Sequence, residues 1–341
     1  MSYQKPRPTL EEIAEAAGVS RSTVSRVVNK HPNVRPEVRE RVWQMIEKMG
    51  YHPNAAARSL ASRRSYTLGI VIPRKVGAIF TDPYFPILIE GISDAATDRS
   101  YHLMLSLFNR PVEEGFYRRV LWSRMLDGLL ISALPLDHPL PSRLIKERVP
   151  FVIIGRHPNE PRASFVDVDN INGACTAVEH LLHHGRRRIA TITGPQQEIP
   201  GLDRLEGYRV ALREADASCD GTLVVEGAWT ELSGYMAMQK LLPEKPDAVF
   251  IASDLMAMGA LRALRQAGCR VPDDIAIVGF DDHEMAAYAD PPLTTVHQPI
   301  YELGVAAVDL MLRLIATEEQ NPLHTIMTTE FVIRGSCGCQ P

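Results

Sequence analysis

Leu10-Glu11-Glu12-Ile13-Ala14-Glu15-Ala16-Ala17-Gly18-Val19-Ser20-Arg21-Ser22-Thr23-Val24-Ser25-Arg26-Val27-Val28-Asn29 decides how this chain is read. Leu10, Ile13, Ala14 and Ala17 share one face of a helix over 10–17. Gly18 ends it, because glycine enters a left-handed turn without steric cost. Ser20 is a good N-cap for a second helix over 21–29, with Val24, Val27 and Val28 apolar. The small Ala14 lets the two helices cross closely, Gly18 turns the chain, and Val24 packs back on the first helix. That spacing is a helix-turn-helix. Its second helix presents Arg21, Ser22, Ser25 and Arg26 outward, N-terminus first into a major groove. Arginine pairs with guanine edges or phosphates there, and serine bonds either. A third helix is expected over 36–49, with Pro36 in its first turn and Gly50 as its stop.

Working outward, charge supports this head. Residues 1–65 hold 12 Lys+Arg against 6 Asp+Glu, and the remainder holds 25 against 35. A basic end on an acidic body suits a DNA-binding arm. After the third helix, Asn54 can cap a short segment, Ala55–Ala61, of roughly two turns, too short to be stable alone. Ser62-Arg63-Arg64-Ser65 reads as a linker.

From Thr67 the pattern changes. Apolar runs at 68–72, 102–107, 128–132, 151–154, 165–168, 189–193, 223–225, 249–252 and 275–278 alternate with helical stretches at 87–97, 172–184, 205–214, 234–242 and 255–267. Such βα alternation implies parallel sheets with helices on both faces. The length is too great for one such core, so two lobes are expected, with a ligand at the carboxyl ends of their strands. The fold class is therefore an all-α head on an α/β two-lobed core.

Residues 9–62 closely resemble the N-terminus of the lactose/galactose repressor (LacI/GalR) family. The matching runs are Thr9-Leu-x-x-Ile-Ala-x-x-Ala-Gly18-Val-Ser20-x-x-Thr23-Val-Ser25-Arg26-Val-Val-Asn29 and Gly50-Tyr51-x-Pro53-Asn54-Ala55-x-Ala57-Arg58-x-Leu60. The resemblance implies a DNA-binding domain over 1–52, a hinge helix and linker over 53–65, and an effector-binding and dimerisation core over 66–341. It places DNA contacts at Thr9, Ser20, Arg21, Ser22, Thr23, Ser25, Arg26, Asn29 and Tyr51, and in the hinge at Asn54, Ala57, Arg58 and Leu60. Leu60 would be the apolar wedge that opens a minor-groove step and bends the duplex.

Core landmarks extend the likeness: Val168-Asp169-Asn170-x-x-Gly173-Ala174, Arg204-Leu-Glu-Gly207-Tyr208, Asp273–Asp282 and Pro291–Val296. They imply a core resembling type I periplasmic binding proteins, whose lobes are joined by three crossings and close on a small molecule. The first lobe is expected over about 66–163 and 297–324, the second over about 164–296 and 325–341. Tyr84, Phe85, Arg156, Arg204, Trp229, Ser253, Asp254 and Asp281 match effector-binding positions. A carboxylate at 281 suits bidentate hydroxyl binding, and an indole at 229 suits a sugar's apolar face. This sequence departs from the family at Gly155, Ser253 and Leu202, and Lys75–Thr81 makes the first strand–helix loop long. The mixture favours a sugar or oligosaccharide effector.

The expected function is repression of transcription by a homodimer on a palindromic double-stranded DNA operator. A solute receptor or sugar-processing enzyme on the same core are the alternatives. The first would need a secretory signal, and residues 1–8 carry no apolar run of that kind. The second would need paired carboxylates, and Asp281-Asp282, as strand neighbours, point to opposite sides. No catalytic motif, cofactor or membrane span is read, and the cytoplasm is expected. Metal is not expected either: Glu179-His180-Leu-Leu-His183-His184 has the wrong order for a His-Glu-x-x-His helix, and Cys337-Gly-Cys339 lacks four-ligand zinc spacing. Five scattered cysteines do not make a disulfide framework. No leucine heptad follows Arg334, which argues against tetramers assembled that way.

Overall fold

The computed structural model describes residues 8–28, 31–51, 64–107, 125–317 and 321–339. The chain divides into two units, Met1–Tyr66 and Thr67–Pro341.

In the first unit, α1 (Leu10–Ala17), α2 (Arg21–Val28) and α3 (Pro36–Met49) enclose Ile13, Ala14, Ala17, Val24, Val27, Val42 and Ile46. These side chains are the apolar stripes of all three helices. Thr9 and Glu12 cap α1 reciprocally: Glu12 N donates to Thr9 Oγ1 at 3.3 Å, and Thr9 N donates to Glu12 Oε2 at 2.7 Å. Gly18 turns the chain at φ 63°, and Ser20 Oγ accepts from Thr23 N at 3.2 Å to start α2. Residues 52–63, which hold most of the hinge and linker expected over 53–65 and its contacts Asn54, Ala57, Arg58 and Leu60, lie outside the described residues, and so does Asn29.

The second unit has two lobes. The first is built on a parallel sheet in the order β11-β5-β4-β3-β1-β2. Its strands are β1 (Thr67–Ile72), β2 (His102–Leu107), β3 (Gly128–Ser132), β4 (Phe151–Ile154), β5 (Ser164–Val168) and β11 (His324–Met327). Alternate residues face opposite sides, so Leu68, Ile70, Ile72 and Leu130 meet Leu88 and Ile92 of α5 (Tyr84–Asp98) and Leu303 and Met311 of α12 (Ile300–Thr317). Val71, Leu129 and Ile131 meet Leu140 and Leu144 of α6 (Leu140–Glu147) on the other face. The expected long loop at 75–81 instead contains a short helix, α4 (Val76–Thr81), whose Ile79 is buried.

The second lobe has a parallel sheet ordered β7-β6-β8-β9, from β6 (Ile189–Thr193), β7 (Val224–Glu226), β8 (Ala248–Ile251) and β9 (Ala276–Val278). Phe250 and Val278 pack under α7 (Asn170–His183) and α8 (Ile199–Glu214). Val249, Ile251 and Ile277 pack under α9 (Glu231–Leu241) and α10 (Asp254–Gln266). A short helix, α11 (Glu284–Ala287), precedes β10 (Thr295–His297), which pairs antiparallel with β12 (Glu330–Val332).

The chain crosses between lobes three times, from β5 to α7, from β10 to α12 and from β11 to β12. Both β5 and β11 pair along their length within the first sheet. The first and third crossings therefore fall after 168 and 327, not after 163 and 324 as expected. No helix among the described residues is long and apolar enough to cross a membrane.

Candidate functional site

A cavity lies between the lobes at the carboxyl ends of both sets of strands, where parallel α/β sheets place their ligands. From the first lobe come Arg74, Asp82, Tyr84, Phe85, Ser132, Arg156 and Asp167; from the second, Asn170, Glu198, Arg204, Trp229, Ser253 and Asp281; and from the β10–α12 crossing, Gln298.

Its floor is a buried ion pair. Arg204, on α8, donates from Nη1 to Asp281 Oδ1 at 3.1 Å and to Ala252 O at 2.6 Å, and from Nε to Asn170 Oδ1 at 2.9 Å. Its guanidinium carbon stacks 3.6 Å from the centre of the Phe280 ring. A buried charge is tolerable only when so many partners replace water. Asp281 also accepts from Gln298 Nε2 at 2.6 Å, and its other oxygen lies 3.5 Å from His283 Nε2. The backbone at Asp281 has φ 115°, a region that favours glycine. Such strain persists where the surroundings fix a residue, and it concentrates at ligand-binding positions. Asp282 faces away, accepting from Arg334 Nη2 at 2.7 Å.

Two arginines of the first lobe reach across to the second. Arg156, just after β4, grips Asp203 of α8 through Nη2–Oδ1 at 2.7 Å and Nη1–Oδ2 at 2.6 Å, and also meets Asp167 of β5 at 2.9 Å. Arg74, after β1, pairs with Glu198 ahead of α8. Glu198 in turn accepts from Trp229 Nε1 at 3.0 Å. The Trp229 ring packs against Gly194, where an added Cβ would sit 2.1 Å from ring carbons, so only glycine leaves room for the indole.

In the head, Arg21, Ser22 and Arg26 are exposed on α2, whereas Thr23 and Ser25 are half-buried. Arg21 is held by Glu11 of α1 at 2.9 Å. Ser20 and Thr9 spend hydroxyl contacts on capping, and Tyr51 is half-buried at the end of the bundle.

Residues 9–54 match the family model for bacterial regulatory proteins of the lacI family, and 178–337 match the periplasmic binding protein-like domain. The chain is 41% identical over 337 residues to the HTH-type transcriptional regulator CelR of Thermobifida fusca, covering 98% of this chain and 99% of CelR. It is 36% identical over 340 residues to the ribose operon repressor of Escherichia coli K12, covering 96% and 99%. The chain belongs to the lacI family. Among solved structures, this lacI-family chain resembles the CelR–cellobiose complex with TM-score 0.77, 40% identity and coverage of 97% and 100%. It resembles the lac repressor dimer bound to operator and the anti-inducer ONPF with TM-score 0.85, 28% identity and coverage of 97% and 99%.

Of the eight effector-binding residues expected from the sequence, the fold of this lacI-family protein brings seven to the cavity; Asp254 departs. Asp254 is fully buried behind it, accepting from Thr295 Oγ1 at 2.6 Å and from the His283 backbone at 2.9 Å. Its work is to tie α10 to β10 and to the segment after β9. Asp82, Asp167, Asn170, Glu198, Asp203 and Gln298 were not foreseen. Asp167 and Asn170 stand in or beside the Val168-Asp169-Asn170 landmark, so a polar cluster at a strand end was the available signal.

Asp82 has a measurable consequence. Burial, with the Asp281 charge as a second cause, pushes its carboxyl up to about 6. A carboxyl with a raised folded-state pKa adds stability below the unfolded value and loses it as pH rises through the folded value. Ionised Asp82 therefore weakens the ligand-free protein above pH 6. Asp82→Asn is expected to raise the melting temperature at pH 7.5, by on the order of 2 kcal/mol in stability, and to leave it unchanged at pH 4. Equal shifts at both pH values would show that the gain is not electrostatic.

Proposed function

We propose that this lacI-family protein is a transcriptional repressor that binds a palindromic operator as a homodimer and is controlled by a sugar, with a β-linked glucose disaccharide such as cellobiose as the first candidate. The observation that carries the reading is the inter-lobe cavity. It sets the Asp281–Arg204 pair, with hydroxyl-binding oxygens, beside the Trp229 ring, a surface for a sugar's apolar face. CelR, which is similar along nearly the whole chain, has been solved with cellobiose.

In this reading α2 lies in the major groove. Arg21 exchanges Glu11 for a base edge, Ser22 and Arg26 follow it along the groove, and the paired hinges of two copies bend the centre through Leu60. Sugar in the cavity favours one setting of the lobes. It shifts DNA affinity only as far as its own affinity differs between the two settings.

The test has two arms. The full chain is melted with cellobiose, ribose and glucose; a saturable rise with cellobiose supports the sensor, since a ligand of the folded state must stabilise it. No rise with any sugar overturns the sugar assignment. A random double-stranded oligonucleotide pool is then selected on the protein. An enriched inverted repeat, released or gripped harder when cellobiose is added, supports the regulator, and no enrichment overturns it.

Hydrolysis is a second reading with one observation in its favour: Asp82 and Asp281 face one cavity from different lobes and feel each other's charge. Asp281 is nevertheless occupied by Arg204 and Gln298, which blunts it as a nucleophile. We infer binding without turnover, so glucose released from cellobiose would favour the hydrolase.

A further inference from the structure

We propose that His180, His184 and Cys339 form a site for a thiophilic divalent cation of the zinc type, fastening the C-terminal segment to α7. Taken one at a time, the histidine-rich helix end and the Cys-x-Cys tail lack the spacing of a metal motif. The fold brings them together. The final turns of α7 place His180 one helical turn before His184, and the ring centres are 4.6 Å apart. Cys339 Sγ lies 3.2 Å from His180 Nε2 and 3.1 Å from His184 Nε2, and one donor atom from each residue lies within 4.8 Å of the others. Zinc bonds of about 2.3 Å to thiolate and about 2.0 Å to imidazole set tetrahedral N and S donors about 3.5 Å apart. The two sulfur–nitrogen distances thus need to open by only a few tenths of an ångström.

The tail reaches this place without a metal's help. Ser336 Oγ donates to Ile277 O at 2.7 Å, and Thr294 Oγ1 donates to the buried Cys337 Sγ at 3.1 Å. Gly338 then turns at φ 92° and delivers Cys339 to the histidines. Phe331 of β12 packs its ring 4.7 Å from that of His180, closing one side. Two imidazoles and a thiolate select zinc over magnesium or calcium, which prefer oxygen. The three protein donors leave the fourth position to water. This site is separate from the inter-lobe cavity and does not depend on its ligand.

The test uses the full chain, stripped by chelator and kept reduced, then titrated with Co2+ and afterwards Zn2+. The expected result is one Co2+ per chain, with thiolate-to-metal charge-transfer absorption and intense tetrahedral bands that Zn2+ bleaches. Cys339→Ser should lose the charge-transfer band, and His184→Ala should bind at least tenfold more weakly. His183→Ala, at an exposed neighbour outside the cluster, should match the wild type. Zn2+ should raise the melting temperature of the wild type but not of Cys339→Ser. Since Cys339 follows the last anchored residue, the metal-free melting temperatures of those two should agree. No charge-transfer band in the wild type, or the same band in Cys339→Ser, would overturn the site.

Discussion

Arg204→Met should cost the protein both stability and its ligand. The methionine fills much of the arginine's volume but leaves Asp281 buried beside Gln298 with its main positive partner gone, and strands Asn170 Oδ1 and Ala252 O. Breaking a buried pair from one side costs about 3–5 kcal/mol. In a core of this size that lowers the melting temperature on the order of 10 °C. Affinity for cellobiose should fall at least a hundredfold, because an Asp281 freed of Arg204 is no longer held in place toward the cavity. Arg204→Lys should not rescue it: one ammonium cannot serve three acceptors spread around a planar fork and also stack on Phe280. Calorimetric titration of both variants decides the matter. Affinity within threefold of wild type in either would remove Arg204 and Asp281 from the binding site.

The second large effect is expected at Trp229, and it separates binding from folding. The ring is half-buried on the loop after β7, supported by Gly194 and Glu198. Trp229→Ala removes a flat apolar surface worth about 2 kcal/mol to a stacked ligand, so affinity should drop roughly thirtyfold. The melting temperature of the ligand-free protein should move far less than in Arg204→Met. Trp229→Phe keeps a ring but loses the indole N–H that steadies Glu198, and through it the contact with Arg74. It should fall between wild type and alanine. An alanine variant that binds cellobiose as tightly as wild type would mean that the ring is a prop for Glu198 and not a platform for sugar.

The head was legible almost residue by residue. Its three helices obey local rules: Ser20 caps, Gly18 and Gly50 turn, and the apolar stripes repeat at helical spacing, while the cap at Thr9 emerged only in the structure. The core strands through β9 were equally visible, because each is a short apolar run between helical stretches. β10, β11 and β12 were not. Their residues are short, polar or exposed, and they are strands only because β5 and the crossings offer them partners. The same distinction runs through the cavity. Arg156, Arg204, Trp229 and Asp281 came from family landmarks, whereas Asp203 and Glu198 matter because folding sets them opposite Arg156 and Arg74, a relation between distant positions that no local pattern records. Asp254 failed for the complementary reason: adjacency to Ser253 in sequence says nothing about which of two neighbours at a helix start faces the cavity.

The triple crossing also governs how the molecule is made. Strand β11 is an edge of the first lobe's sheet, and α12 fills that lobe's core, yet both are synthesised after most of the second lobe. On a ribosome the head can fold early, since all its contacts are local. The first lobe must wait, with β5 an open edge that invites mispairing, until almost the last residues emerge. A stop codon shortly before 324 would therefore leave an intact DNA-reading head attached to a core in which neither lobe has its full complement.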